Sequence, residues 1–393
     1  MIPGREPRRS DHEKPTSRPA RRGGTILSPR ALSPAIRVWY SYCPVIHAGN
    51  VDEGLGWIRG VMKRRGAAYA FFRSVRENDF YPHYLHNLDN LFRFGGCAPA
   101  IQVKADIRRT LLLGLQWLPE GGAMLVRKGE GIRQVPDLKG RRVGLSKSLN
   151  AIKVDWWRIA QERGIELMLQ LNGMTRRDVE WVDFPHDDDW CDRPELLARL
   201  GGASDLWHMP RIRRDMAFRP LEAALECGLI DACYTSAGFV APAAEPGRFE
   251  VIESLGRYPD ATLQAANSPY ALTVDATLAE AHPGLVVAYL KGLIRVGRYC
   301  NANRAAAAAI LGRCDLYPNA AQARRWIAEV DFVPNLSNRN LDAIEVVKEF
   351  MRGHGYIRND VDVRRWAAPQ FAAAAMRELA DEGCRTGERS WTP

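Results

Sequence analysis

Strand signals alternate with helix signals along this chain, and that alternation restricts the fold more than any other feature. Residues 35–42 alternate in polarity and are rich in Val, Trp and Tyr, which predicts a strand, and Val45 to Lys63 follows with amphipathic helical spacing. Ala123 to Arg127 predicts another strand, and Val135 to Ser146 a turn, a strand and a turn into a helix. Ala223 to Tyr234 predicts a helix that closes on Gly228, then a strand from Leu229. This pattern indicates a three-layer α/β protein. His282 to Cys314 is alanine-rich with helical spacing, and further helices are predicted over Ala320 to Val330 and Asn340 to Arg352, so the carboxyl-terminal quarter is expected to be mainly helical. Arg176 to Arg219, which contains Asp187, Asp188 and Asp189, has the weakest periodicity and predicts a long excursion.

At 393 residues the chain exceeds what one hydrophobic core usually serves, so two compact units with a cleft between them are expected. The net charge of +9 suggests nucleic acid until its location is considered. Residues 1–30 hold eight Arg and Lys against three acidic residues, which is most of that excess, and the body is only mildly basic. With five prolines and almost no large apolar residue before Ile26, this segment predicts a disordered tail, and no nucleic-acid partner is expected. No apolar run follows its arginines, so it does not read as a secretory leader, and the protein is expected in the cytoplasm. The longest apolar stretch, around Leu111 to Leu118, is far short of the roughly 20 residues of a membrane span. Eight cysteines are scattered without a CxxC pair or metal-ligand spacing, which disfavours a disulfide frame and a zinc site.

One cysteine stands out by position. Cys43 follows the predicted strand and precedes Pro44, a residue favoured at the first helical position, which predicts Cys43 as the N-cap of the next helix. A cysteine in that place can simply cap a helix. It can also be reactive, because the positive end of a helix dipole and a nearby His or Arg stabilise a thiolate.

Two blocks resemble the solute-binding fold of sulfonate and nitrate uptake proteins and of thiamine-pyrimidine synthases: Asp137 to Ser148 (DLKGRRVGLSKS) and Ala224 to Tyr234 (ALECGLIDACY). A sharper resemblance is to the 2′-hydroxybiphenyl-2-sulfinate desulfinases of dibenzothiophene desulfurisation. Tyr40-Ser-Tyr-Cys-Pro-Val45 is similar to that family's Tyr-Ser-x-Cys-Pro-Val segment, which carries the essential cysteine. His83 stands ten residues ahead of Arg93-Phe94-Gly95-Gly96, as in the family, and Trp366-Ala-Ala-Pro-Gln-Phe371 resembles its Trp-Ala-Ala-Pro-Glu-Phe. The resemblance runs from about Val38 to Phe371. It departs at Tyr42, where the family has a small amide side chain, at Tyr84, where it has Phe, and at His86 and Leu88; these positions are expected to line the pocket and to set the aryl group.

The resemblance implies a two-lobed, type II periplasmic-binding-protein-like α/β fold with the active site in the inter-lobe cleft. The expected organisation is a tail at 1–30, a first lobe from 31–125 plus 275–393, and a second lobe at 126–274. It implies a cofactor-free, metal-free desulfinase that cleaves the C–S bond of an aryl sulfinate, expected as a monomer with a small aromatic sulfinate as partner. Cys43 would act as nucleophile or proton donor. Arg93 has the planar fork of donors that suits a sulfinate, and Gly95 and Gly96 would let backbone N–H groups approach the oxyanion. His83 is the expected acid/base, with His86 second. An apolar wall is expected from among Trp39, Phe80, Tyr84, Phe94, Trp156, Trp157 and Trp207, with Tyr84 and Phe94 first.

The main rival is a solute-binding protein that captures an anion without chemistry, whose mark would be an export signal. A thiamine-pyrimidine synthase relative would need a cofactor-bearing lysine and a cysteine-rich iron motif, and an intracellular sensor would need a further DNA-binding or kinase domain.

Overall fold

The computed structural model describes residues 36–75, 78–118, 122–187, 200–208, 218–235, 248–264, 268–313 and 320–386. The tail expected at 1–30, and the stretches 188–199 and 209–217 of the predicted excursion, lie outside the described residues.

Among the described residues, ten strands form two five-stranded sheets. They are β1 (Ile36–Tyr42), β2 (Ala67–Phe71), β3 (Leu91–Gly95), β4 (Thr110–Gln116), β5 (Ala123–Arg127), β6 (Arg142–Ser148), β7 (Glu180–His186), β8 (Ala232–Thr235), β9 (Phe249–Ser254) and β10 (Tyr270–Asp275). The first sheet has the order β2-β1-β3-β10-β4 and the second β7-β6-β8-β5-β9. In each, a parallel trio adjoins an antiparallel part: β1 is parallel to β2 and β3, β6 to β7 and β8. The chain therefore leaves the first sheet after β4 and returns to it at β10.

Apolar alternation fills the layers. Val38, Tyr40, Tyr42, Phe92 and Phe94 project to one face of the first sheet and pack with the helix Pro283–Ala302 and with Phe371, Ala375 and Leu379 of the helix Pro369–Thr386. The opposite face packs through Leu112, Leu115 and Ala271 on the helix Asn338–Gly353. The second sheet is covered by the helix Trp156–Leu171 on one side and Leu221, Ala224 and Leu225 on the other. Helix–sheet–helix layering is thus present twice, as the α/β alternation predicts.

His354 Nε2 lies 3.0 Å from Glu166 Oε1, and Tyr356 donates to Glu162 at 2.5 Å, which ties the carboxyl-terminal helices to the helix Trp156–Leu171. Arg176 bonds both glutamates and Arg158 Nε stands 4.0 Å from Glu162, so this group is an ion-pair network. Among the described residues no helix is long and apolar enough to cross a membrane.

Several local expectations are corrected. The single helix predicted over Val45 to Lys63 is two, Ala48–Leu55 and Trp57–Arg64, broken at Gly56, whose φ of 70° is left-handed. The helix after β6 begins only at Trp156, and the strand predicted from Leu229 begins at Ala232. The weakly periodic excursion contains β7, whose half-exposed sequence EWVDFPH carries little apolar signal.

Candidate functional site

The site forms where β1 and β3, parallel neighbours, reach their carboxyl ends. Their register sets Ser41 beside Arg93 and Tyr42 beside Phe94, and the Cys43 N–H continues the ladder by donating to the Phe94 carbonyl at 2.9 Å. Strand alternation then gives Ser41, Cys43, Arg93 and Gly95 one face, opposite the packed Tyr40, Tyr42, Phe92 and Phe94.

Cys43 does not cap a helix. The N-cap is His47, whose Nδ1 accepts from the Asn50 N–H at 3.3 Å, so four residues separate the thiol from the first helical residue and the helix dipole does not activate it. A dense set of bonds holds the link instead. The Cys43 carbonyl accepts from the Val45 N–H at 2.8 Å and from Asn50 Nδ2 at 2.7 Å, and lies 3.1 Å from His47 Nε2. Asn50 Nδ2 also reaches the Val45 carbonyl at 2.6 Å, and Gln116 Nε2 donates to the Ile46 carbonyl at 2.9 Å. Because His47 Nδ1 accepts, its proton sits on Nε2 and points at Cys43. Burial lowers the His47 pKa to about 3, against a smaller upward pull from that carbonyl, so the ring is a neutral donor.

Gly95 is the meeting point. A Cβ placed there would stand 3.0 Å from Cys43 Cβ and 3.3 Å from both Arg93 Nη2 and His83 Cε1, so three of the residues singled out in sequence converge on one point. Gly96 differs: a Cβ there meets nothing within 4 Å, and its carbonyl accepts from Arg93 Nη1 at 3.0 Å.

Arg93 is 1% exposed. Its Nε donates to the His83 carbonyl at 2.6 Å, which locks the guanidinium plane with Nη2 next to Gly95. Burial lowers its pKa, and Cys43, Tyr84 and Cys97 pull it back up, so the cation and the Cys43 thiol are electrostatic neighbours. A planar cation fixed by two carbonyls, with Nη2 in neither bond, is prepared for a compact oxyanion.

His83 enters from the short helix Pro82–Leu85. Its Nδ1 is 2.5 Å from Ser41 Oγ, and Ser41 is fully buried. Burial first, then Arg93, His47 and His86, push its pKa well below the ordinary value, so the ring is neutral. A hydroxyl both donates and accepts, so this pair accommodates either tautomer of His83.

The remaining expected residues are placed as follows. Tyr84 is edge-on to His83, ring centroids 5.1 Å apart, with Lys153 Nζ 5.1 Å from its own ring centroid. Phe94 is fully buried and stacks on His47 at 4.4 Å, which backs the Cys43 link from the core side. His86 faces elsewhere: Nε2 is 3.1 Å from the Leu91 carbonyl, and burial lowers its pKa to about 3. Tyr42 does not line a pocket. Its hydroxyl lies 2.7 Å from that of Tyr69 and 3.1 Å from that of Tyr289, and its ring covers Gly49, because an even strand position points into the core. Trp39, Phe80, Trp157 and Trp207 are buried core residues in the described surroundings.

Sequence reasoning assigned no role to Ser41, His47, Asn50, Gln116 or Lys153. Strand alternation would have found Ser41, two residues from Cys43. His47 is not a residue type favoured at N-caps, and Asn50, Gln116 and Lys153 act through tertiary contacts that leave no local pattern.

No protein-family model matches the chain. The 2′-hydroxybiphenyl-2-sulfinate desulfinase of Rhodococcus erythropolis is 25% identical over 366 residues, covering 86% of this chain and 94% of that protein, and the protein of the same description from Rhodococcus qingshengii matches equally. Among solved structures, the desulfurisation enzyme DszB superposes with a TM-score of 0.67 at 21% identity, over 88% of this chain and 99% of that one. A cysteine-to-serine mutant of DszB in complex with biphenyl-2-sulfinic acid gives 0.64 at 20% identity, with the same coverage. A putative periplasmic sulfonate-binding protein SsuA from Methylobacillus flagellatus gives 0.62 at 16% identity, over 91% and 96%. The chain thus resembles the 2′-hydroxybiphenyl-2-sulfinate desulfinases through most of its length and carries the periplasmic-binding-protein-like α/β fold common to DszB and SsuA.

Proposed function

We propose that this protein is an aryl sulfinate desulfinase that converts 2′-hydroxybiphenyl-2-sulfinate, or a related aryl sulfinate, to the arene and sulfite, with Cys43, His83 and Arg93 as its working groups. The observation that carries this reading is the convergence of a thiol, a neutral imidazole and a buried guanidinium on Gly95. The relatives' activity supports the same class of reaction at a C–S bond.

Arg93 Nη2 receives the sulfinate oxygens, with the open space at Gly96 beside it. An anion seated there stands next to Cys43 and disfavours a second anion at the thiol, which supports the thiol as proton donor over the thiolate as nucleophile. In that route the Cys43 S–H delivers its proton to the ring carbon as the C–S electron pair returns to that carbon, and SO₂ departs. Water adds to SO₂ to give hydrogensulfite and a proton, and His83, its Nδ1 paired with Ser41 Oγ, returns a proton to the thiolate. The sum is aryl sulfinate plus water giving arene plus hydrogensulfite. The nucleophilic route instead forms a Cys43–sulfur bond to the substrate, so an enzyme-bound sulfur adduct seen by mass spectrometry after rapid quench would decide for it.

Capture of a sulfonate without chemistry is the second reading, favoured by the likeness to SsuA. A thiol and an imidazole beside the anion grip argue against it, since capture needs no group that attacks a bond or moves a proton. The deciding experiment gives the purified chain a panel of aryl and alkyl sulfinates with no added metal or nucleotide. Sulfite is expected from biaryl sulfinates, whereas binding without turnover across the panel would leave only the capture reading.

A further inference from the structure

Both backbone groups of Cys43 end on the same pair of residues. Its N–H donates to the Phe94 carbonyl at 2.9 Å, its carbonyl lies 3.1 Å from His47 Nε2, and the His47 and Phe94 rings stack at 4.4 Å. A closed circuit therefore runs from the end of β3 through the thiol-bearing residue to the N-cap of the helix Ala48–Leu55 and back. The Val45 N–H and Asn50 Nδ2 reach the same carbonyl, but of the three donors His47 is the one stacked on Phe94.

The two nitrogens of His47 have different tasks. Nδ1 accepts from the Asn50 N–H at 3.3 Å and so caps the helix, which leaves the proton on Nε2 for the Cys43 carbonyl. Serine, threonine, asparagine or aspartate would cap a helix better, but none of them carries an acceptor and a donor on opposite sides of a rigid ring. Histidine at this N-cap is therefore explained by its contact with Cys43, not by the cap. The thiol has little slack: a Cβ at Gly95 would stand 3.0 Å from Cys43 Cβ, so a turn of the Cys43 backbone redirects its side chain away from His83 and Arg93. We propose that His47 is a positioning residue: its Nε2–H fixes the Cys43 carbonyl and thereby aims the thiol at the point where His83 and Arg93 converge. This rests on the desulfinase reading for its effect on turnover but not for the placement of the thiol.

The test uses full-length His47→Phe and His47→Gln proteins. Phenylalanine keeps a ring against Phe94 and loses both nitrogens, whereas glutamine loses the ring and returns a donor near the place of Nε2. Two readouts are taken: sulfite release, and alkylation of Cys43 by iodoacetamide followed by mass spectrometry of its peptide, which needs no substrate. For His47→Phe, kcat and the alkylation rate are each expected to fall at least about 10-fold with KM within about 2-fold, since misalignment of a reacting group acts on kcat. His47→Gln should recover most of both, although with a polar chain in an apolar pocket its urea midpoint is the lower of the two. A packing role predicts the reverse order, with the phenylalanine variant both more stable and more active. A His47→Phe protein of wild-type kcat and alkylation rate overturns the proposal, as do variants whose activities follow their urea midpoints. If His47→Phe does not fold, His47→Leu is judged by the same criteria. A wild-type protein that releases no sulfite from any sulfinate defeats the desulfinase reading, and the alkylation rates then decide the placement of the thiol by themselves.

Discussion

A single missing side chain decides whether the three reactive groups can meet. Gly95 has a thiol carbon, a guanidinium nitrogen and an imidazole carbon all within 3.3 Å of where its Cβ would be. Gly95→Ala is therefore expected to push Cys43, Arg93 and His83 apart and to cut kcat at least about 100-fold, since small displacements in a reacting constellation cost on that scale. Circular dichroism should stay close to wild type and the urea midpoint should fall by no more than the roughly 1–3 kcal/mol of an overpacked interior; a Gly95→Ala enzyme of normal kcat would refute the convergence. Ser41→Ala is milder. It leaves His83 in place without its proton partner, so kcat should fall by less than the roughly 10²–10⁴ of a lost acid–base group, with KM little changed. Much of this was legible in the chain: Cys43, His83, Arg93 and Gly95 stand out by motif, and Ser41 follows from the period of two on β1. Tyr42 was misjudged because its place next to Cys43 suggested a shared pocket, while the pleat sends adjacent residues to opposite faces.

The element that matters most is the link between β1 and the helix Ala48–Leu55. A proline after the cysteine promised a helix start, yet the helix begins four residues later because His47 and Asn50 hold the intervening carbonyls. Propensity could place the strand and the helix but not this link, since its bonds depend on side chains that meet only when the turn has formed. Asn50→Ala removes two part-buried side-chain bonds to the backbone and is expected to cost about 1–3 kcal/mol of stability, read from the urea midpoint. Activity should fall further than stability alone explains, because the Cys43 carbonyl loses one of its anchors. A variant with wild-type stability and turnover would show that the link is held elsewhere. At this scale β7 is the instructive omission: a half-exposed edge strand has too little apolar contrast to register, and only pairing with β6 defines it.

Across the whole molecule, the site is a concentration of buried histidines kept neutral. Burial lowers His47 and His86 to about 3 and puts His83 well below its usual value. In the unfolded chain these rings take up protons near pH 6.5, so below that pH the unfolded state binds protons that the folded state refuses. Their contribution is complete above about pH 6.5 and is lost progressively as the pH falls towards their folded values. Asp52, raised by burial to about 6, acts in the opposite sense but is one group against three. The urea midpoint is thus expected to be clearly lower at pH 5 than at pH 7.5, and equal midpoints would contradict the neutral-histidine site. The helix–sheet–helix layering was readable from alternating helix and strand signals and the division into two lobes only from the family resemblance, whereas contacts between the sheets' segments, such as Lys153 on Tyr84, leave no trace in any local pattern. The central claim rests on Cys43, and one paired measurement addresses it: sulfite release from 2′-hydroxybiphenyl-2-sulfinate by the wild-type protein and by Cys43→Ser, with substrate binding followed by calorimetry. Release by the wild type, none by Cys43→Ser, and binding by both are expected; sulfite release by Cys43→Ser at the wild-type rate would rule out a catalytic Cys43.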